Sequence, residues 1–411
     1  VENFEPIIEM PFFVVLLFLL ALARVLGELM ERAGQPAMIG EILAGIILGP
    51  TLLDLIHLNT ELKVFAEVGV FLLIIIAGME IKIDDVLDGL KGKNLIIALS
   101  GFFIPLFAGL GVCALFDMDI VEGIFVSLCI SITALPVSVR ILLDLGKLNT
   151  EVGKKIISVA IFNDVAALAI LGIVLDVLKK GGDNVQDVSI VQIGISVGLT
   201  LLKVIFFLAL MTLAFRAVDK LTRKKDYVKD KLNFIVGKLR SKESFFAIIF
   251  IFILCFASLS ELVGLHFIVG AFFGSMLLSH ELLGKENFEN MEKSTSSIAM
   301  GFLAPIFFAT LGLEFELAAL GDILFVVAIL VVSFASKILG GYFGSKAAGF
   351  GDRDSFSIGI GLNGRGVMEL VIANIALSHG YISTGTFSVL VLMGIITTLS
   401  TPALLKKVFT N

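Results

Sequence analysis

Apolar residues run in long stretches along this chain, and polar residues gather in the short connections between them. Thirteen stretches are long enough to cross about 30 Å of hydrocarbon, at roughly 7–29, 36–54, 63–80, 94–116, 120–143, 155–178, 188–217, 243–263, 265–280, 297–313, 320–348, 355–377 and 383–408. None alternates with the period of two that a barrel strand shows. The pattern predicts an all-α polytopic membrane protein with thirteen transmembrane helices. The second, third, ninth and tenth stretches are short or interrupted by glycine, so their ends are loosely defined.

Composition agrees with that reading. The chain is 57% hydrophobic and 17% charged, with a mean hydropathy of +1.03, values that exclude a soluble domain of 411 residues. The first stretch runs past Leu20 into Arg24 and Glu28 without a small-residue cleavage site, so no signal peptide is expected. Cys113, Cys129 and Cys255 lie inside apolar stretches without CxxC spacing and are read as packing residues. His57, His266, His280 and His379 sit at stretch ends in no metal-ligand spacing.

Positive charge orients the bundle. The connection between the seventh and eighth stretches carries Arg216, Lys220, Arg223, Lys224, Lys225, Lys229, Lys231, Lys238, Arg240 and Lys242, and is expected in the cytoplasm. Alternate loops then follow: Lys82, Lys91 and Lys93, then Lys147, Lys154 and Lys155, fall inside, whereas Asp117, Asp119 and Glu122, then Glu314, Glu316 and Asp322, fall outside. Lys63 and the Lys179-Lys180 pair break the pattern. The N-terminus is expected outside and the C-terminus in the cytoplasm. A basic connection beside a membrane helix is a topology signal or a contact for anionic lipid, so no nucleic acid is expected as a partner.

An internal repeat emerges from the glycines. Gly45-x-x-x-Gly49 in the second stretch recurs as Gly270-x-x-x-Gly274 in the ninth, and Gly78-Met79-Glu80 recurs as Gly312-Leu313-Glu314. The copies are seven stretches apart, and an odd offset reverses orientation. Two inverted six-helix repeats joined by the seventh helix are therefore expected, an arrangement that places binding sites at midplane where paired helices break. One candidate break is Ser131-Ile132-Thr133-Ala134-Leu135-Pro136, where Pro136 offers no N–H to the carbonyl of Ile132 and Ser131 and Thr133 can solvate the opened turn. The 55 residues separating Gly78 from Thr133, counted on from Gly312, lead to Val367, beside Gly361, Gly364 and Gly366. Each glycine disfavours helix by about 1 kcal/mol relative to Ala.

Asn163-Asp164 lies in the middle of the sixth stretch. A carboxylate at that depth costs about 2.5–3.5 kcal/mol and by default marks an ion or proton pathway. Its hard oxygens suit Na⁺, K⁺ or a proton, and burial makes protons and cations compete for it. Lys337, at similar depth in the eleventh stretch, is the expected charge partner, forming an ion pair with Asp164 until a cation displaces it. Arg365 and Glu369, spaced i,i+4, are expected to form a structural ion pair on the broken twelfth helix. Lys203 has no repeat counterpart and remains unassigned. No GxxxxGK[ST] or HExxH pattern occurs, and no enzyme activity is expected.

At these residues the chain resembles the second family of monovalent cation:proton antiporters, which includes bacterial Na⁺/H⁺ and K⁺/H⁺ exchangers and plant cation/H⁺ exchangers. The resemblance is carried by Pro36-Ala37-Met38-Ile39-Gly40-Glu41-Ile42-Leu43-Ala44-Gly45-Ile46-Ile47-Leu48-Gly49-Pro50, by Phe71 to Glu80, by Ala160 to Val165 and by Gly361 to Glu369, in order along the whole chain. It implies a dimerisation domain from 1–93 and 243–319, a mobile core from 94–180 and 320–411, and a linker helix with the basic connection at 181–242. It further implies crossed, unwound fifth and twelfth helices, with Asp164, Asn163, Thr133 and Ser131 at the cation and proton site, and no cofactor beyond the transported ions. A homodimer working by an elevator movement in a prokaryotic cell membrane follows from the same likeness. The Asn-Asp pair is similar to exchangers expected to be electroneutral, whereas retention of Lys337 is not.

Two other function classes compete with antiport. A cation channel would conduct without counter-ion exchange. A sodium-coupled carrier of organic anions shares inverted repeats and broken helices, but its anion site would want basic groups rather than a titrating carboxylate. An intramembrane protease would need a second aspartate at matching depth, and the neighbouring stretches offer none.

Overall fold

The computed structural model describes residues 11–81, 92–148, 150–181, 213, 242–263, 266–278 and 283–410. The seventh stretch apart from residue 213, Lys203, His280 and nearly all of the basic connection lie outside them. The described residues form fifteen α-helices: α1 Phe12–Arg32, α2 Ala37–Leu48, α3 Thr60–Glu80, α4 Lys93–Leu115, α5 Ile120–Ser131, α6 Leu135–Asp144, α7 Glu151–Gly181, α8 Lys242–Val263, α9 Phe267–Met276, α10 Lys285–Ile298, α11 Ala304–Leu313, α12 Ile323–Ala347, α13 Asp352–Gly361, α14 Val367–Ser378 and α15 Thr384–Thr410. Eight helical runs among them are long and apolar enough to cross a membrane, and α2, α5, α9 and α14 are shorter apolar helices.

The first N–H groups of a helix have no acceptor within it, and side chains at the helix start can supply one. Asn59, Asp119 and Asp322 do so, accepting from Leu62 N at 2.8 Å, Val121 N at 2.8 Å and Phe325 N at 3.0 Å. Two predicted boundaries are corrected. The second stretch stops being helical at Leu48, and Thr51 Oγ1 in the turn that follows donates to Phe315 O. The tenth begins at Lys285 rather than 297 because α10 is polar, with Phe288, Met291 and Thr295 turned inward, and a polar helix escapes a count of apolar stretches. A five-residue π-helical turn, Ala299–Leu303, joins α10 to α11.

Glycine contacts set the packing. A Cβ on Gly45 would lie 2.8 Å from Gly312 Cα, and one on Gly312 would lie 2.1 Å from Ile42 O, so α2 and α11 meet backbone to backbone. Gly78 meets α9 in the same manner, 2.5 Å from Phe272 O. Small residues of this kind allow the close approach on which helix association in lipid depends.

Two helices are interrupted. The chain leaves α5 at Ser131, runs extended through 132–134 and re-enters helix at Leu135; it leaves α13 at Gly361 and re-enters at Val367. Pro136 falls in the first turn of α6, where a missing N–H leaves no carbonyl unpaired. The two breaks touch: Ala134 N donates to Gly364 O at 2.9 Å and Thr133 Oγ1 to Leu362 O at 2.8 Å. A Cβ on Gly366 would lie 2.5 Å from that of Ala134, and one on Gly361 would lie 2.3 Å from Ile156 Cδ1. These glycines therefore serve close approach.

At the end of α11, Glu314 Oε2 accepts from Asn374 Nδ2 of α14 at 3.4 Å. Burial raises its pKa to about 7 from 4.5, with the Lys63 charge and the Asn374 hydrogen bond opposing the shift. The folded protein therefore holds this proton more tightly than the unfolded chain. The associated stability is present below pH 4.5 and is lost as pH rises to about 7. Melting temperature in detergent should fall more between pH 5 and pH 8 for the parent than for Glu314→Gln; equal slopes would contradict this.

Candidate functional site

The C-terminus of α5 ends inside the protein, where its last carbonyls need donors. Arg365 and Lys337 supply them. Arg365 Nη1 donates to Cys129 O and Ile132 O, both at 2.7 Å, and Lys337 Nζ donates to Gly101 O at 3.0 Å and to Ser131 O. Both cations are fully buried, and both meet the negative end of a helix dipole. Thr398 Oγ1 clamps the backbone of Arg365, accepting from its N–H at 3.2 Å and donating to its carbonyl at 3.0 Å.

Successive residues on a helix point about 100° apart, and α7 uses this to send Asn163 and Asp164 to different surroundings. The Asn163 carboxamide lies 3.0 Å from Thr133 Oγ1. With its oxygen toward α12 it accepts from Lys337 Nζ at 3.1 Å while its nitrogen donates to Val159 O at 3.3 Å. Asp164 is 3% exposed, and its Oδ1 has no hydrogen-bond partner. It lines a small cavity of about 30 Å³ with Glu80, Ala134, Leu135, Met300 and Val367. Leu135 and Val367 are the first residues of α6 and α14. A carboxylate beside two helix N-termini is favoured by their partial positive charge and by their open N–H groups.

The expected Asp164–Lys337 ion pair is not formed: the ammonium group is committed to the carbonyls of Gly101 and Ser131, and no ion pair of Asp164 occurs among the described residues. Ser131, expected as a ligand through its hydroxyl, instead turns Oγ back to Ser127 O at 2.7 Å and offers its carbonyl to Lys337. Thr133 bridges the breaks and Asn163 rather than lining the cavity. Arg365 and Glu369 do meet, but at 3.8 Å, with both Glu369 carboxylate oxygens lacking a hydrogen bond. The pairing of Arg365 is thus with α5 more than with Glu369. Sequence reasoning missed Glu80 and Met300 as neighbours of Asp164. The Glu80 signal was present, an acid closing an apolar stretch, but it reads as an interfacial residue until the fold brings the end of α3 to the cavity that Asp164 lines.

A wider crevice of about 690 Å³ opens between α1, α2 and α10 on one side and α6 and α14 on the other, lined by residues that include Arg24, Glu41, Val137, Lys293, Met300 and Val367. Glu41, 3% exposed, is paired there with Arg24 at 3.3 Å.

Two interrupted helices cross at their breaks within a bundle of apolar helices, with buried cations at one helix end and a buried carboxylate at two others, an arrangement that suits a membrane carrier of small cations. A family described as transmembrane sodium/hydrogen exchangers matches residues 14–408, and the chain belongs to that family. It is a multi-pass integral membrane protein and a transporter, not an enzyme. It is similar to the Na⁺/H⁺-K⁺ antiporter GerN of Bacillus cereus, 29% identical over 98% of this chain and 97% of that protein. It is 30% identical to the Na⁺/H⁺ antiporter NhaS4 of Synechocystis, over 96% of each chain. The cation/H⁺ antiporter 20 of Arabidopsis thaliana is 28% identical over 94% of this chain, which spans 47% of that longer protein. The solved structure of the sodium proton antiporter MjNhaP1 from Methanocaldococcus jannaschii shares the fold, with a TM-score of 0.68 at 15% identity over 97% of this chain and 96% of that one.

Proposed function

We propose that this protein exchanges Na⁺ or K⁺ for H⁺ by letting the two compete for Asp164. The observation that carries the reading is the position of that carboxylate, buried, with one oxygen unpaired, at the N-termini of two interrupted helices. Oxygen ligands at such a site suit an alkali cation or a proton, and one carboxylate cannot hold both. Glu80, on the cavity wall, adds a second oxygen donor. Lys337 and Arg365 neutralise the opposite helix end and stay there through the cycle, so Lys337 is a charge partner of α5 rather than a rival for Asp164. With Asp164 as the one group that trades its proton for the cation, exchange is one for one and electroneutral.

Thirteen spans in two inverted six-helix repeats joined by a seventh helix underlie the mechanism. The matching contacts of Gly312 on α2 and Gly78 on α9 support the repeat, since each joins the third helix of one half to the second of the other. Residues 94–180 and 320–411 form the moving core, carried past a dimeric scaffold of 1–93 and 243–319, with the N-terminus outside and the C-terminus in the cytoplasm. The test is proton flux from proteoliposomes driven by Li⁺, Na⁺, K⁺ or Rb⁺ gradients, with the membrane potential clamped at several values. Exchange that requires both ions and is indifferent to potential is expected; flux without a counter-ion would make the protein a channel.

A further inference from the structure

We infer that Met300 gates the passage between the wide crevice and the Asp164 cavity, and that Arg24 and Glu41 position it. This rests on Asp164 as the exchange site. The crevice and the inner cavity share two lining residues, Met300 and Val367. Val367 is β-branched and opens α14, so its side chain has little freedom. Met300 is unbranched, 41% exposed and carried on the π-helical turn Ala299–Leu303. A methionine with three rotatable bonds on such a turn can swing where a branched residue on a regular helix cannot.

Burial of Ala299 and Leu303 holds the ends of the turn, and a side-chain hydrogen bond holds its middle. Arg24 Nη1 donates to Met300 O at 3.4 Å and to Glu41 Oε1 at 3.3 Å, tying α1 and α2 to the backbone of the gate residue while leaving its side chain untethered. Glu41 is buried, and Arg24 is its ion-pair partner. The inner cavity, at about 30 Å³, has room for roughly two waters at about 10–15 Å³ each. A cation arriving from the crevice must therefore shed most of its hydration where Met300 stands. The width left by that side chain then bears on which ions pass.

Met300→Phe, Met300→Leu and Arg24→Gln, reconstituted beside the parent and Asp164→Asn, test the gate. Met300→Phe is expected to slow K⁺- and Rb⁺-driven proton flux about tenfold, and Li⁺-driven flux less, as a narrowed gate would. Met300→Leu should behave as the parent, and Arg24→Gln should flatten the ratio of Rb⁺ to Li⁺ rates. The half-saturating cation concentration for thermal stabilisation in detergent should be unchanged in Met300→Phe, because Met300 is not a ligand. A Met300→Phe protein that exchanges every cation at the parent rate overturns the gate, whereas an Asp164→Asn protein that exchanges normally overturns the site itself. As an independent measure, Met300→Cys in a chain with Cys255→Ser should react with a charged methanethiosulfonate reagent from the crevice side, at the same rate with Asp164→Asn added. A thiol unreactive from both faces would overturn the gate as well.

Discussion

Asp164→Asn is expected to abolish cation-driven proton exchange and leave the protein folded. The carboxamide has the same shape as the carboxylate but neither binds a proton in this range nor carries charge. At a contact of about 3 Å and an effective dielectric of about 20, a unit charge pair is worth on the order of 5 kcal/mol, or between three and four decades of cation affinity. Flux should fall to that of empty liposomes, and the stabilisation of the detergent-solubilised protein by Na⁺ or K⁺ should vanish with it. The substitution removes a buried charge that has no ion-pair partner among the described residues, so melting temperature should hold or rise. Retention of parental flux would end the assignment of Asp164. Loss of flux together with a collapsed melting temperature would point to a structural role instead.

The largest effect on stability is expected from Arg365→Leu. The guanidinium group is fully buried, satisfies the carbonyls of Cys129 in α5 and of Ile132 just beyond it, both at 2.7 Å, and faces Glu369 at 3.8 Å. Hydrogen bonds from a charged donor contribute about 1.5–3 kcal/mol each, and removing one partner of a buried ion pair costs about 3–5 kcal/mol because the other is stranded. Loss of at least the latter amount should appear as a marked drop in melting temperature and in the yield of folded protein. Part of the loss comes from Glu369, left buried without its partner. Arg365→Leu combined with Glu369→Gln should therefore be more stable than Arg365→Leu by itself, a non-additivity that a double-mutant cycle reads directly. Were the two changes simply additive, the Arg365–Glu369 pair would carry no energy and α5 capping would account for the whole loss.

The sequence exposed the span pattern and the two breaks because both are written in local chemistry. Each of the twelve apolar stretches that falls on described residues contains a helix, and the breaks fall beside Pro136 and among Gly361, Gly364 and Gly366. The polar helix α10 was invisible for the complementary reason: Lys285–Ile298 is helical through tertiary burial of a few residues, not through hydropathy. Ser131 shows a different limit. Its hydroxyl has a nearer acceptor in Ser127 O, and the carbonyl that does the work belongs to every residue and leaves no mark in a sequence.

Sequence by itself determined that Asp164, Lys337, Arg365 and Glu369 are buried in a membrane bundle, because charge in an apolar stretch can be read one residue at a time. Only the tertiary structure decided how they are shared out. Lys337 and Arg365 go to the carbonyl end of α5, and Asp164 goes to the amide ends of α6 and α14 with Glu80 and Met300 beside it. The physical reason is that a broken helix presents opposite charges at its two open ends. Which end a buried ion meets depends on how the two breaks cross, and that crossing is fixed by contacts such as Ala134 N to Gly364 O between residues more than two hundred positions apart.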